Sequence, residues 1–85
     1  MKQFEYVIKD ELGIHARPAG LLAKEAGKFN AEIKIGKGDK FAEVKRLFGI
    51  MSLGVKQGDS VVVLVDGEDE EAAFEAMKLF FEANL

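Results

Sequence analysis

Gly13-Ile14-His15-Ala16-Arg17-Pro18-Ala19 is the stretch on which the architecture turns. Pro18 would damage a helix interior, but in a first turn its missing N–H has no intrahelical partner to lose. The run therefore predicts a helix that begins near Ala16 and ends around Gly27. Its apolar stripe is Ala19, Leu22, Ala23 and Ala26, at the i, i+3, i+4, i+7 spacing of one buried helix face. His15, the only histidine of the chain, stands where this helix starts, before a set of unpaired N–H groups and the positive end of the helix dipole. Such a position suits a phosphate. An imidazole that has taken up a phosphoryl group would have its new charge received by the backbone, with the amides of Ala16 and Arg17 nearest. The Arg17 guanidinium adds a second cationic partner. No acidic residue lies between Leu12 and Lys24.

The flanking patterns fix the rest of the fold. Phe4, Tyr6 and Ile8 alternate with Gln3, Glu5 and Val7, the period of a strand with one buried face. Ala31, Ile33 and Ile35 repeat that signature, Gly36-Lys37-Gly38-Asp39 is a turn, and a short strand follows at Lys40 to Glu43. Arg46 to Leu53 reads as a short helix stopped by Gly54, and Lys56-Gln57-Gly58-Asp59 as a turn. Ser60 to Val65 carries five consecutive apolar β-formers, which predicts a central strand covered on both sides or nearly so. Asp66-Gly67 should break the chain. Glu68 to Asn84 reads as the last helix, with acidic residues at its positive end and Ala73, Met77, Phe80 and Phe81 on its buried side. The order β-α-β-β-α-β-α most simply gives an α+β fold: one four-stranded antiparallel sheet with three helices on one face.

Bulk composition narrows the function. Eighty-five residues make one domain spanning 1–85, with a modest core. Twelve basic residues against fifteen acidic ones leave a net charge of −3, which argues against a nucleic-acid partner. With no cysteine and a single histidine, neither a disulfide nor a zinc or iron site is expected. No apolar run approaches the length of a membrane span and no signal peptide opens the chain, so a cytoplasmic location without membrane insertion is expected. The residues offer no Ser–His–Asp arrangement, P-loop or dinucleotide fingerprint, and no cofactor is called for. A neutral imidazole is a competent nucleophile at neutral pH, and phosphoryl transfer demands mainly alignment and charge stabilisation.

With Ala19, Leu22, Ala23 and Ala26 turned to the sheet, Arg17, Gly20, Leu21 and Lys24 fall together on the opposite side. In the short helix Leu47, Ile50 and Met51 share one side and Phe48 is left off it. A leucine and a phenylalanine exposed among cations would suit a partner with an apolar centre and an acidic rim, although single exposed apolar residues are ordinary.

The Gly13–Ala19 run, the second motif Gly49-Ile50-Met51-Ser52-Leu53-Gly54, the length and the element order together resemble HPr, the histidine-containing phosphocarrier family of the bacterial phosphoenolpyruvate:sugar phosphotransferase system. The resemblance covers the whole chain. It implies an open-faced β-sandwich in which His15 accepts a phosphoryl group on Nδ1 from phosphorylated enzyme I and passes it to a histidine of an enzyme IIA domain. Arg17 would contact the phosphoryl oxygens. Both partners would use one surface, with Gly20, Leu21, Lys24, Leu47, Phe48 and Met51 as contact candidates. The family member is a carrier acted on by its partners rather than an enzyme, and nothing requires more than a monomer.

Two positions depart from the family pattern. In the Gram-positive branch a serine follows the lysine of the second motif region and is phosphorylated by an ATP-dependent kinase in catabolite control; here Arg46 follows Lys45. Arginine cannot take that phosphate, Ser52 matches a different family position, and Arg46 is also a poor helix cap. Leu12 stands where the family often has a small or hydroxyl residue. These departures leave room for a regulatory paralogue that keeps the fold and acts mainly by binding proteins. A small-ligand or RNA module of unrelated origin fits less well, given the acidic charge and the absence of paired aromatics on a strand.

Overall fold

A computed structural model describes residues 1–85. The alternating and helical patterns become β1 (Lys2–Val7), α1 (Ala16–Ala26), β2 (Ala31–Lys37), β3 (Lys40–Glu43), α2 (Leu47–Ser52), β4 (Ser60–Gly67) and α3 (Glu70–Asn84). The strands form one antiparallel sheet in the order β1-β4-β2-β3. Phe4 lies opposite Val63 and Tyr6 opposite Val61, while Ile33 faces Val65 and Ile35 faces Val63 across β4. These residues share the sheet face that the helices cover. Ala19, Leu22 and Ala26 of α1, Ile50 of α2, and Ala73, Met77 and Phe81 of α3 close the core over it. Phe81 is the keystone of the aromatic part. Its ring meets Phe4 edge-on at 5.7 Å and Tyr6 at 5.5 Å between centroids, a geometry that adds attraction beyond area burial.

The β-α-β-β-α-β-α order is as the sequence reads, and α1 ends at Gly27 as expected. The central strand differs. Val61, Val63 and Val65 are fully buried, but Val62 and Leu64 point to the open face and are only half-covered. Their neighbours there are Glu5 and Gln3 on one side and Gly36 and Lys34 on the other. Lateral neighbours in a sheet shelter an apolar side chain without a second layer, so five apolar residues in a row did not require one.

Strand β4 also continues through Gly67 instead of stopping at Asp66. Gly67 (φ 145) pairs with Ala31, and a Cβ at Gly67 would lie 2.8 Å from the Ala31 Cα. The helix that follows accordingly starts at Glu70, two residues later than expected. Glu68 and Asp69 are used in the turn: Asn30 donates through its backbone N–H to Asp69 Oδ2 (2.7 Å) and through Nδ2 to Glu68 Oε2 (2.9 Å). Glu70 instead receives the N-terminal ammonium (3.1 Å to Oε2) and the Gly67 N–H, which hold its carboxyl below the usual range.

Helix α2 is too short for its faces to separate cleanly. Ile50 is buried and Leu47 half-buried against the core, whereas Met51, expected beside them, is 39% exposed. Arg46 gives α2 no side-chain cap; its Nε pairs with Glu43 Oε2 at 2.9 Å.

Phe81→Ala should lower the unfolding free energy by about 3–5 kcal/mol, read by urea denaturation. Phe48→Ala, which removes a ring that is 84% exposed, should change it by less than ~0.5 kcal/mol. Equal losses from the two would contradict this core.

Candidate functional site

The approach to α1 is held from one side by the loop that precedes β4. Ile8 N–H donates to the Asp59 carbonyl (3.0 Å), and Gly58 N–H donates back to the Ile8 carbonyl (2.8 Å). Gln57 Nε2 donates to the Lys9 carbonyl (3.1 Å) and Ile14 N–H to the Val55 carbonyl (3.2 Å). Between these points the loop turns on itself. Asp10 Oδ1 accepts the Leu12 N–H at 2.9 Å, and the Asp10 carbonyl accepts the Gly13 N–H at 3.0 Å. Gly13 adopts φ 67, and a Cβ there would overlap the Val55 carbonyl oxygen and sit 2.7 Å from the Lys56 Cα. Only glycine allows both the left-handed conformation and so close an approach of two backbones.

His15 follows as the residue before α1, extended (φ −105, ψ −175) and half-buried, with no hydrogen bond from its ring to the helix start. The imidazole is therefore not consumed as a cap. The His15 carbonyl accepts the Ala19 N–H at 3.0 Å, and Pro18 has no N–H to offer. Ala16 and Arg17 are left as the two amides at the positive end of α1 without an intrahelical acceptor. No acidic residue occupies the first turn.

A shallow depression of about 270 Å³ is lined by Asp10, His15, Arg17, Pro18, Leu21 and Asn84. It brings together His15, Arg17 and Leu21, as the sequence reading expects, and adds two residues that reading missed. Asp10 precedes the helix, and the Asp10–Gly13 turn folds it back into the depression that His15 also lines. Its carboxylate qualifies the expectation of an acid-free approach, which holds along α1 only. Asn84 arrives from the last turn of α3, because the Leu85 carbonyl accepts the N–H groups of Lys9 (2.6 Å) and Asp10 (2.9 Å). No local signal in the sequence links positions so distant.

Helices α1 and α2 are neighbours, and their outward residues form the remaining surface. Leu21 (45%), Phe48 (84%) and Met51 (39%) are exposed apolar side chains, with Lys24 and Arg17 exposed among them. A Cβ on Gly20 would meet nothing within 4 Å. Leu47, also a contact candidate, is half-buried against the core. Leu12 is 71% exposed in the loop before His15. A larger cleft of about 510 Å³ opens at the other end of β4, but Glu32, Glu43, Asp66 and Glu68 line it. Four carboxylates with the single cation Lys45 make it a poor receptor for a phosphoryl group.

Comparison with known proteins shows the family. A family model described as the PTS HPr component phosphorylation site matches residues 2–83. The chain belongs to the HPr family. It is 45% identical over 85 residues to the phosphocarrier protein HPr of Mycoplasma genitalium, covering 99% of this chain and 97% of that one. Among solved structures, HPr-C-His of Thermoanaerobacter tengcongensis is similar with a TM-score of 0.93 and 42% identity, covering 98% of this chain and 93% of that one. Crh, the catabolite repression protein of Bacillus subtilis, shares the fold at a TM-score of 0.79 and 32% identity, covering 100% of this chain and 98% of that one. The four-stranded sheet and three helices described above are those of HPr structures. The chain is thus a phosphocarrier-family protein, and none of its helices is long and apolar enough to cross a membrane.

In this HPr-family chain Gly13→Ala should destabilise the fold by more than ~1 kcal/mol and alter the NMR signals of Ile14 and His15. Unchanged stability and unchanged His15 signals would show that the close contact with Val55 is unimportant.

Proposed function

We propose that this protein carries phosphoryl groups on His15, taking them from phosphorylated enzyme I and giving them to enzyme IIA domains of sugar permeases. The observation that carries the reading is a half-buried imidazole, free of hydrogen bonds, standing before two unpaired amides and sharing a depression with Arg17. In the forward step the lone pair of His15 Nδ1 forms the N–P bond as the bond from phosphorus to the donor breaks, and the donor keeps that electron pair. The Ala16 and Arg17 amides and the Arg17 guanidinium receive the charge of the phosphoryl oxygens. No oxidation or reduction occurs, and discharge reverses the same motions toward the acceptor. The protein is charged and discharged by its partners, so it turns over no substrate alone.

Docking uses the outward faces of α1 and α2. Leu21, Phe48 and Met51 supply apolar contact, Lys24 and Arg17 a cationic rim, and Gly20 a place where a partner can come close to the helix. Leu47 supports this face from below. Arg46 has no hydroxyl, so catabolite control through a phosphoserine at that position is absent. The likeness to Crh supports a second reading, a regulatory paralogue acting mainly by protein binding; rapid onward transfer to an enzyme IIA separates the carrier from it.

Incubation with enzyme I, magnesium and phosphoenolpyruvate should give one acid-labile, alkali-stable phosphate by intact mass, absent from His15→Ala. Label on the His15→Ala protein, or none on the native one, would reject the assignment. Arg17→Glu should slow transfer by at least about tenfold; an unchanged rate would make the arginine a bystander. Leu21→Glu and Phe48→Glu should each weaken enzyme I binding about tenfold or more with little change in Tm. A large fall in Tm would instead mark these side chains as structural.

A further inference from the structure

The loop that grips the approach to His15, residues 54–59, is itself fastened by one side chain from the sheet. Lys37, the last residue of β2, donates from Nζ to the Gly54 carbonyl at 3.0 Å and pairs with Asp59 Oδ2 at 2.9 Å. The same Asp59 oxygen accepts the Lys56 N–H at 2.8 Å, and the Asp59 N–H donates to the Lys56 carbonyl at 3.0 Å. A single ammonium thus ties both ends of the 54–59 loop, and the loop's carbonyls at 55 and 59 in turn hold Ile14 and Ile8. We propose that Lys37 and Asp59 are positioning residues for phosphoryl transfer, setting the place of the His15 ring through the Val55–Ile14 contact.

The proposal rests on the carrier reading for its functional consequence and on geometry for its structural one. An isolated surface ion pair contributes little to stability, and this one is not offered as a stabilising bridge. Its effect is geometric: Val55 is buried, Gly13 lies against it with no Cβ between the backbones, and His15 is two residues from that contact. Displacing reacting groups by about 1 Å is enough to slow a reaction by up to about a hundredfold. Lys37 and the Lys56 N–H hold the Asp59 carboxyl below the usual carboxylate range. A depressed folded pKa means the brace is complete above the ordinary carboxylate value and is lost only as pH falls through the lower, folded one. It is therefore intact at neutral pH.

The test compares Lys37→Met, Asp59→Asn and Lys37→Arg with the native protein, all checked for folding by their NMR spectra. Neither Lys37 nor Asp59 is among the docking residues, so KM for this protein as substrate of enzyme I should be unchanged. The transfer rate constant should fall about tenfold in Lys37→Met and Asp59→Asn. Lys37→Arg, which keeps a cation with several donors, should recover most of it. Amide exchange at Ile14 and Gly58 should speed up in the two slow variants, and the ring 15N shifts of His15 should move. Native rates together with native exchange at Ile14 in folded Lys37→Met would overturn the proposal, as would a rise in KM alone. If the native protein is never phosphorylated, the carrier reading fails, while exchange at Ile14 still decides whether the brace holds the loop.

Discussion

The contact between the Ile14 amide and the Val55 carbonyl, closed over a glycine at position 13, is the constraint on which the proposed acceptor depends. A histidine before a helix has no intrinsic reason to leave the first amides free; its ring is able to fold back and cap them. Here the backbone reaches Ile14 already committed to Val55, and His15 enters α1 in an extended conformation with its ring turned to the depression instead. The helix dipole is then directed at a ring whose nitrogens are unspent. At the proposed acceptor, a phosphoryl group would have as donors the Ala16 and Arg17 amides, which the helix holds fixed, the condition under which fixed dipoles do most for charge stabilisation.

That constraint is affordable because the sheet is rigid on both sides of it. The strand carrying His15's loop, β1, is an edge strand, yet it is clamped against β4 through six facing pairs and buttressed by Phe81 on the helix side. The loop on the far side of the contact leads straight into β4, the central strand, whose three inward valines are fully buried. Both partners of the Ile14–Val55 bond are therefore extensions of the best-packed part of the molecule. A site built on loops gains in this way the precision of the elements behind it.

The helices and strands were readable because each has one buried face, and a face has a period. Phe4, Tyr6 and Ile8 declare β1; Ala19, Leu22 and Ala26 declare α1. Arg17 and Leu21 follow from the same arithmetic, and His15 from its place at the start of the same local segment. What escaped the sequence had no period to reveal it. Val62 and Leu64 resemble core residues, and only the absence of a second layer distinguishes them. Glu68 and Asp69 look like a helix start but serve Asn30, whose partnership with them is set by the sheet. Asp10 and Asn84 reach the depression through a turn and through the docking of Leu85, just past α3, onto the loop. Met51 shares a side with Leu47 and Ile50 by spacing yet is exposed, because six residues of helix are too few for faces to be defined.

Charge is distributed along β4 in a way that composition conceals. The chain is acidic overall, at −3, and that sum alone would predict repulsion of a phosphorylated donor. The carboxylates of Glu32, Glu43, Asp66 and Glu68 gather around the cleft where β4 ends. His15 lies where β4 begins, with Arg17 beside it and Lys24 further along α1. Exposed charges separated by more than a Debye length, about 8 Å at physiological salt, are largely screened from one another, so an anion at the depression responds more to the charges lining it than to the net charge of the chain. Asp10 is the side-chain carboxylate that lines the depression, and one of its oxygens is already bonded to the Leu12 amide. On the proposed carrier reading, its residual charge would oppose accumulation of a phosphohistidine while Arg17 would favour its formation, a balance suited to a group that is passed on.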